Sequence, residues 1–423
     1  MANKSFVYFL FFICLSFYTS SYSQTLTHSP YSRYGVGELN YNGFSMNMGK
    51  GGLAYGVHTA NAVNFLNPAS YTSIALTTFE FGMSSKMSYY ASPLDTIRIN
   101  RTAFSYLALG IPIIPNKWGM SIGLLPYSSI GYKLTSTSAI ETGDSVTYQY
   151  DGSGGINMLY FGNGVQVTKN LSLGLNICYL FGIMTNNSAV LFPTGDNNIS
   201  VLANKTVNVS DVLLNGGIQY KIPIKTDYTL TLGATYSNTT NVHAVKDIIT
   251  TRFTASTGAI VDSIIQDSSV SGNFIIPQRI GIGFSFAKND HWLIGADYSW
   301  QQWSAYSSPF DQYDLLKNSM SIAVGAEYVR NNKTSTSYFN KVRYRAGLNY
   351  SNSFVQLDGN NLTQYGLSIG AGFPVIRSQS ILNIAFEFGR AASAYTDALN
   401  ENYGKICLGF TLNDKWFIKR KYD

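Results

Sequence analysis

At 423 residues the chain has room for several soluble domains or for one large sheet closed on itself. Charged residues make up only 12% of it, about half the ordinary share, while Gly (38), Tyr (31) and Phe (25) are abundant; this excludes a chain of solvated helices and also a disordered one. The net charge of +6 is dispersed along the sequence, so nucleic acid is not an expected partner.

At the N-terminus, Lys4 precedes an apolar run from Phe6 to about Phe17, and Ser21-Tyr22-Ser23 forms a small-x-small site that would leave Gln24 as the new terminus. Residues 1–23 therefore read as a signal peptide for export. Cys14 falls within it, and Phe12-Ile13 is not the small-residue approach of a lipoprotein signal. Cys178 and Cys407 remain, too few for a disulfide scaffold, and no His/Cys/Asp/Glu spacing suggests a metal; no cofactor is expected. Beyond the signal no apolar run approaches the roughly 20 residues of a membrane helix.

Residues 24–76 are Gly- and Asn-rich with short apolar patches. They read as a flexible leader or as a plug folded into a lumen, and Leu53, Tyr55, Val63, Phe65 and Leu66 favour the plug, since a leader has little use for them. From residue 77 onward the pattern changes. Phe79, Phe81, Met83, Met87 and Tyr89 alternate with Glu80, Gly82, Ser84 and Lys86; Trp118, Met120, Ile122 and Leu124 alternate with Gly119, Ser121 and Gly123. The same period recurs from Leu171 to Phe181, Val212 to Tyr220, Tyr228 to Tyr236, Ile280 to Phe286, Trp292 to Trp300, Met320 to Tyr328, Val342 to Tyr350, Tyr365 to Phe373, Leu382 to Phe388 and Gly404 to Leu412, with weaker stretches near Thr102–Ile111 and Gly155–Val167.

Period two means strand. These runs make about 14 strands, most near the roughly 10 residues that a tilted membrane strand requires. Short connections (115–116, 169–170, 223–227, 287–290) alternate with long ones (135–145, 185–204, 238–272, 306–314, 391–401), and only 331–338 is long on the short side. That segregation suits an outer-membrane barrel with its short turns towards the periplasm. A soluble sandwich could bury the apolar faces against each other, but it gives no reason for loops to sort by length or for the second face to be so rich in Gly, Ser, Thr and Asn. The expected fold is all-β: a 14-stranded antiparallel transmembrane β-barrel over residues 77–423, with an N-terminal plug, or hatch, over 24–76.

Several segments resemble, in order, the FadL/TodX-type outer-membrane transporters of long-chain fatty acids and aromatic hydrocarbons. They are the Gly-rich stretch ending in Asn67-Pro68-Ala69 before the first strand, "LLPYSSIGY" at Leu124–Tyr132, Ile276-Pro277 through "GADYSWQQWSAY", and "GAEY" followed by "RAGLNYSNSFV". The resemblance implies a hatch-plugged barrel whose kinked third strand opens the wall sideways, and passive transport of a hydrophobic small molecule. Barrels of this kind also include accessory proteins of type IX secretion, which handle protein cargo. No clear counterpart of the family's ligand-contacting residues is found, and the chain runs on past Phe417 through "IKRKYD".

Parity places Arg279, Asp297, Glu327, Arg343 and Arg345 on the inward side of four neighbouring strands, with Arg279 and Asp297 nearly opposite each other if the turn is centred within 287–290. Such a belt would stiffen the wall and hold the plug by paired hydrogen bonds, or leave an arginine free for a carboxylate. Pro126 lies on the lipid-facing parity three residues after Gly123 and marks either the strand's outer end or a break in the wall. Asn67, Pro68 and Ala69 are expected to take part in gating. "GLSIG" at Gly366–Gly370 matches a hydrolase motif, but Ser368 lies mid-strand and the four histidines are scattered, so no enzyme is expected. The expected protein is a monomer in outer-membrane lipid that binds an apolar ligand in an apolar pocket against the hatch; the alternative is an accessory barrel that binds a protein partner and moves no lipid.

Overall fold

The computed structural model describes residues 29–40, 43–91, 96–139, 144–193, 198–288, 291–309, 316–330, 337–376, 378–395 and 398–416, without side chains for 264–266; the expected signal peptide lies outside them. Eighteen strands form one sheet: β1 (Glu38–Leu39), β2 (Thr77–Ala91), β3 (Thr96–Ile114), β4 (Trp118–Pro126), β5 (Ser128–Ala139), β6 (Ser145–Gln166), β7 (Leu171–Leu191), β8 (Ile199–Lys225), β9 (Tyr228–Ser237), β10 (Thr240–Thr254), β11 (Ile260–Ile276), β12 (Arg279–Lys288), β13 (Trp292–Gln301), β14 (Ser319–Tyr328), β15 (Arg343–Leu357), β16 (Asn360–Pro374), β17 (Ile381–Ala392) and β18 (Asn400–Asp414). Every pairing is antiparallel, and β18 closes on β2 from Asn400↔Ala91 to Asp414↔Thr77. β4 with β5 and β9 with β10 are each one wall strand interrupted by a short break, since both members lie along the same neighbour, and β11 with β12 is another, lying along β10 and β9 in turn. With β1 set aside as an added edge, the wall is a closed 14-stranded barrel.

Its outer face is apolar and exposed, as the alternation predicts. Along β13, Ile294 and Tyr298 are exposed while Gly295, Asp297, Ser299 and Gln301 are buried. Phe81, Ile122, Leu159, Phe161, Leu175, Ile177, Phe284, Val324, Leu367, Phe388 and Leu408 continue that outer surface around the ring. Only hydrocarbon can solvate so continuous an apolar surface, and only a closed sheet leaves no backbone group unpaired within it.

The strands are longer than the repeat length suggests, and unequally so. β13, β14 and β17 have 10, 10 and 12 residues, enough to cross, whereas β6, β7 and β8 have 22, 21 and 27. Most described residues of the segments read as long loops are the upper parts of paired strands: 135–139 and 145 lie in β5 and β6, 185–191 and 199–204 in β7 and β8, and 240–254 and 260–272 in β10 and β11. Their Ser/Thr/Asn content hid them, because apolar alternation stops where lipid stops while β-pairing continues. About ten extra residues at roughly 3.3 Å each raise one side of the wall by on the order of 30 Å along the strands.

The segment before β2 lies inside the ring. It contains a short helix, α1 (Ser45–Met48), which touches β16, β17 and β18, and a 3-10 turn at Pro68–Ser73, which touches β4, β6, β7 and β8. Glycines on the inward face give its backbone room. A Cβ at Gly174, Gly217, Gly233, Gly325 or Gly347 would collide with Pro68, Asn67, Tyr55 or Lys50. Gly233→Val is expected to unseat residues 50–70 while the outer wall still forms: brief protease treatment should cut within that stretch, with the barrel's heat-modifiable gel mobility preserved.

Candidate functional site

Inside the wall the segment is fixed by polar contacts from nearly every side. Asn67 caps the 3-10 turn, its Oδ1 accepting from Ala69 N at 3.1 Å, and its Nδ2 donates to Tyr55 O at 2.8 Å and to Ile218 O on β8 at 3.2 Å. Pro68 and Ala69 are buried against β6 and β7, where Tyr71 donates to Asn176 at 3.0 Å. Ser368, the serine of the hydrolase-like motif, is buried mid-strand; it accepts from Gly51 N at 2.8 Å and donates to Gly347 O at 3.3 Å. Its hydroxyl is a fastening for the segment.

The five charges read as a belt divide into two functions. Glu327 takes Arg343 Nη1 at 2.7 Å on one oxygen and Arg345 Nε at 2.7 Å on the other, and Arg345 Nη1 continues to Asn383 at 2.6 Å, so these three residues brace β14 to β15 and β17. Arg279 and Asp297 are not opposite each other. The hairpin pairs Lys288 with Trp292, which sets Arg279 against Gln301 and Asp297 against Gly283; a turn centred about 1.5 residues later than assumed moves the partner by three positions. Each instead holds the inner segment: Asp297 Oδ2 accepts from Ala54 N at 2.6 Å and Tyr55 N at 2.8 Å, and Arg279 Nη2 donates to Tyr55 OH at 2.9 Å.

Lys50 lies close enough to this group for its charge to be felt by Glu327, Arg345, Arg343 and Asp297, yet its fully buried Nζ has no hydrogen-bond partner among the described residues. Burial pulls its pKa down to about 8, against the attraction of Glu327.

Two cavities flank the segment. The larger, ≈ 280 Å³, is lined by Ser, Asn and Gln side chains and by Glu38, Lys86, Arg101, Arg279, Glu387 and Glu401, with apolar patches such as Phe354, Val355 and Leu362, and so is more polar than the pocket expected from the sequence. The smaller, ≈ 40 Å³, lies among Phe65, Tyr127, Met158, Cys178, Leu213 and Ile276, within the principal apolar cluster of the interior. Tyr55, Leu66, Arg279 and Gln301 border both cavities. Tyr55 and Leu66, from the inner segment, are thus a partition, and Arg279 holds the Tyr55 hydroxyl in place.

Beside the smaller cavity the wall is interrupted. β4 ends at Pro126 and β5 begins at Ser128, with Tyr127 between them donating its N–H to Ile156 O at 2.8 Å; β6 bends with it through Gly154 and Gly155, at φ of 100° and 143°. Gly123 admits Tyr160 and the Leu107 carbonyl, since a Cβ there would lie 2.6 Å from the ring. β3 pairs with β4 only up to Leu107↔Leu124, and among the described residues β3 and β5 share no ladder, so above Pro126 their facing edges are open. Pro126 therefore marks a break in the wall and not its upper end. Glu38 and Arg101 were not singled out by sequence; Lys86 stood out only as a charge on an inward face, and Tyr55 and Leu66 only as apolar residues favouring a plug.

A family model described as BamG matches residues 1–423. No curated protein sequence matches the chain. Similar solved structures include the Pseudomonas putida toluene transporter TodX (TM-score 0.58, 16% identity, covering 87% of this chain and 96% of that one), a Pseudomonas aeruginosa FadL homologue (0.58, 14%, 87% and 97%) and the Ralstonia pickettii toluene transporter TbuX (0.54, 12%, 93% and 100%). At such identities the likeness is one of fold.

The bracing triad and the lone lysine predict opposite mutational signs. Glu327→Gln leaves buried arginine without its counter-charge and is expected to destabilise by about 3–5 kcal/mol. Lys50→Met removes an unpaired buried cation and should raise the unfolding temperature, both changes being read from the temperature at which unboiled protein shifts mobility on a denaturing gel.

Proposed function

The chain belongs to the BamG family, and on that premise we propose that it is a passive outer-membrane conduit for small molecules with an apolar body and a polar head, residues 24–76 acting as the hatch. The observation that carries this reading is the placement of the break at Pro126–Ser128 beside an apolar cavity that shares Tyr55, Leu66, Arg279 and Gln301 with a polar one. A ligand would enter the polar cavity, pass the partition when the hatch yields around Asn67–Ala69, and leave between β3 and β5 into lipid without crossing water. Its apolar part would gain about 25 cal/mol per Å² removed from water. The known transporters of similar fold, named for toluene, support passage of apolar compounds in a barrel of this build. The polar lining of the larger cavity is what adds a polar head to the expected substrate.

The test is uptake into liposomes holding this protein alone. Decanoate and toluene should enter faster than into empty vesicles, and Leu66→Ala, which opens the partition, should speed entry severalfold. Equal rates for protein-bearing and empty vesicles across both compounds would overturn the conduit.

A second reading, an accessory barrel that docks a protein partner and moves no lipid, draws support from the raised sheet formed by β5, β6, β7, β8, β10 and β11. Its two outermost members, β5 and β11, each have a ladder partner on one side only over most of that height. Unpaired edges are templates for an added strand. Co-purification of a stoichiometric protein partner with no bound lipid would favour this reading.

A further inference from the structure

The open edge above Pro126 is covered by the chain's own N-terminal residues. Ser29 N donates to Gly131 O at 3.0 Å, Gly131 N donates to Ser32 Oγ at 3.0 Å, and β1 pairs Glu38 with Ser129 and Leu39 with Ser128. Gly37, at φ 94°, passes so close to the wall that a Cβ would lie 2.6 Å from Ser129 O. Residues 29–39 are thus a strap laid along β5 where β3 has diverged.

The strap is tied across the gap by charge. Glu38 Oε1 is 3.5 Å from Lys86 Nζ on β2, and Oε2 is 3.6 Å from Arg101 Nη1 on β3. Lys86 also meets Glu401 on β18 at 2.8 Å, and Glu401 accepts from Ser88 at 2.6 Å. Arg101 donates through Nη2 to Ser129 at 3.2 Å. The two carboxylates are held very differently. Glu401 is 7% exposed and at hydrogen-bond length; Glu38 is 34% exposed and stands off both cations. Arg101 Nε and Asn40 Nδ2, both lining the larger cavity, have no hydrogen-bond partner among the described residues. Two cations, one firm carboxylate and unused donors leave room for one better-fitting anion. Glu38 cannot simply leave, because the half-buried positive charge would then stand uncompensated.

We propose that Lys86 and Arg101, with the Asn40 amide, form a binding site for an anionic headgroup, that Glu38 is its tethered, autoinhibitory occupant, and that an incoming carboxylate or phosphate monoester displaces Glu38 and frees the strap from β5. This deepens the conduit reading, on which the consequence for passage rests: the wall opens when a negatively charged amphiphile is already in the cavity beside it. No covalent step is involved; one anion exchanges for another.

The experiment uses the full mature protein in an uncharged maltoside detergent, with decanoate, decyl phosphate and decanol as probes, reading hydrogen exchange of the 29–39 amides and probe affinity. Decanoate or decyl phosphate should raise exchange across the strap at least tenfold, and decanol should leave it unchanged; whichever of the two anions acts alone identifies the head. Glu38→Gln, checked for folding by heat-modifiable mobility, should raise basal strap exchange and tighten anion binding about tenfold by removing the competitor. Arg101→Gln should abolish the anion response, and serves alone if Glu38→Gln does not fold. Equal strap release by decanol, no release by either anion, or unchanged affinity in Glu38→Gln overturns the proposal. Because none of these readouts needs transport, a wild type that conducts nothing would overturn the conduit while these outcomes still decide the strap.

Discussion

A backbone N–H or C=O facing hydrocarbon costs several kcal/mol unless it has a partner, and this one constraint organises the molecule. It forces the sheet to close from β18 back to β2 and leaves interruptions tolerable only where something inside the protein covers them. The break after Pro126 obeys it: where β3 stops pairing with the third wall strand, β1 supplies a short substitute ladder to β5. The wall's weakest point and the chain's N-terminal residues are consequently one structural problem with one solution.

The inward face answers to a second demand, volume. Glycine on that face brings the backbone of residues 50–70 against the wall, and Ser, Asn and Gln beside it provide the hydrogen bonds that such an approach requires. Among the described residues, cavities of unlike character, one polar and one apolar, lie on either side of Tyr55, Leu66, Arg279 and Gln301. That division, more than either cavity alone, is what a molecule with two unlike ends would meet.

Alternation made the wall legible from sequence, because lipid on one side and a filled lumen on the other impose period two wherever the strand is within the membrane. The 14 runs correspond to the 14 wall strands for that reason. Where the solvent changed, the signal failed: residues 185–191, 199–204, 240–254 and 260–272 are strand, and they lost the apolar half of the pattern. Partners across a hairpin were less legible than faces. Arg279 and Asp297 share the inward side as parity requires, but the register depends on a turn that sequence locates only to within a residue or two. Glu327 and Arg345 were read only as sharing the inward side; that they stand opposite each other comes from the β14–β15 ladder, Glu327↔Arg345. The polar cavity could not be read at all, since it is made by residues from the strap, the inner segment, β2, β3 and β12 to β18 that meet only after closure.

The raised sheet is lopsided, and its lopsidedness is not neutral with respect to the break. The upper edge of β5 stands directly over the place where the strap crosses, so any extended peptide that zipped onto that edge from outside would run down towards Ser129 and Ser128, the residues to which β1 is already bound. Two ladders cannot share one row of donors and acceptors. External docking and internal sealing are therefore mutually exclusive over those last positions, which would let a neighbour on the cell surface and a solute in the interior govern the same seam.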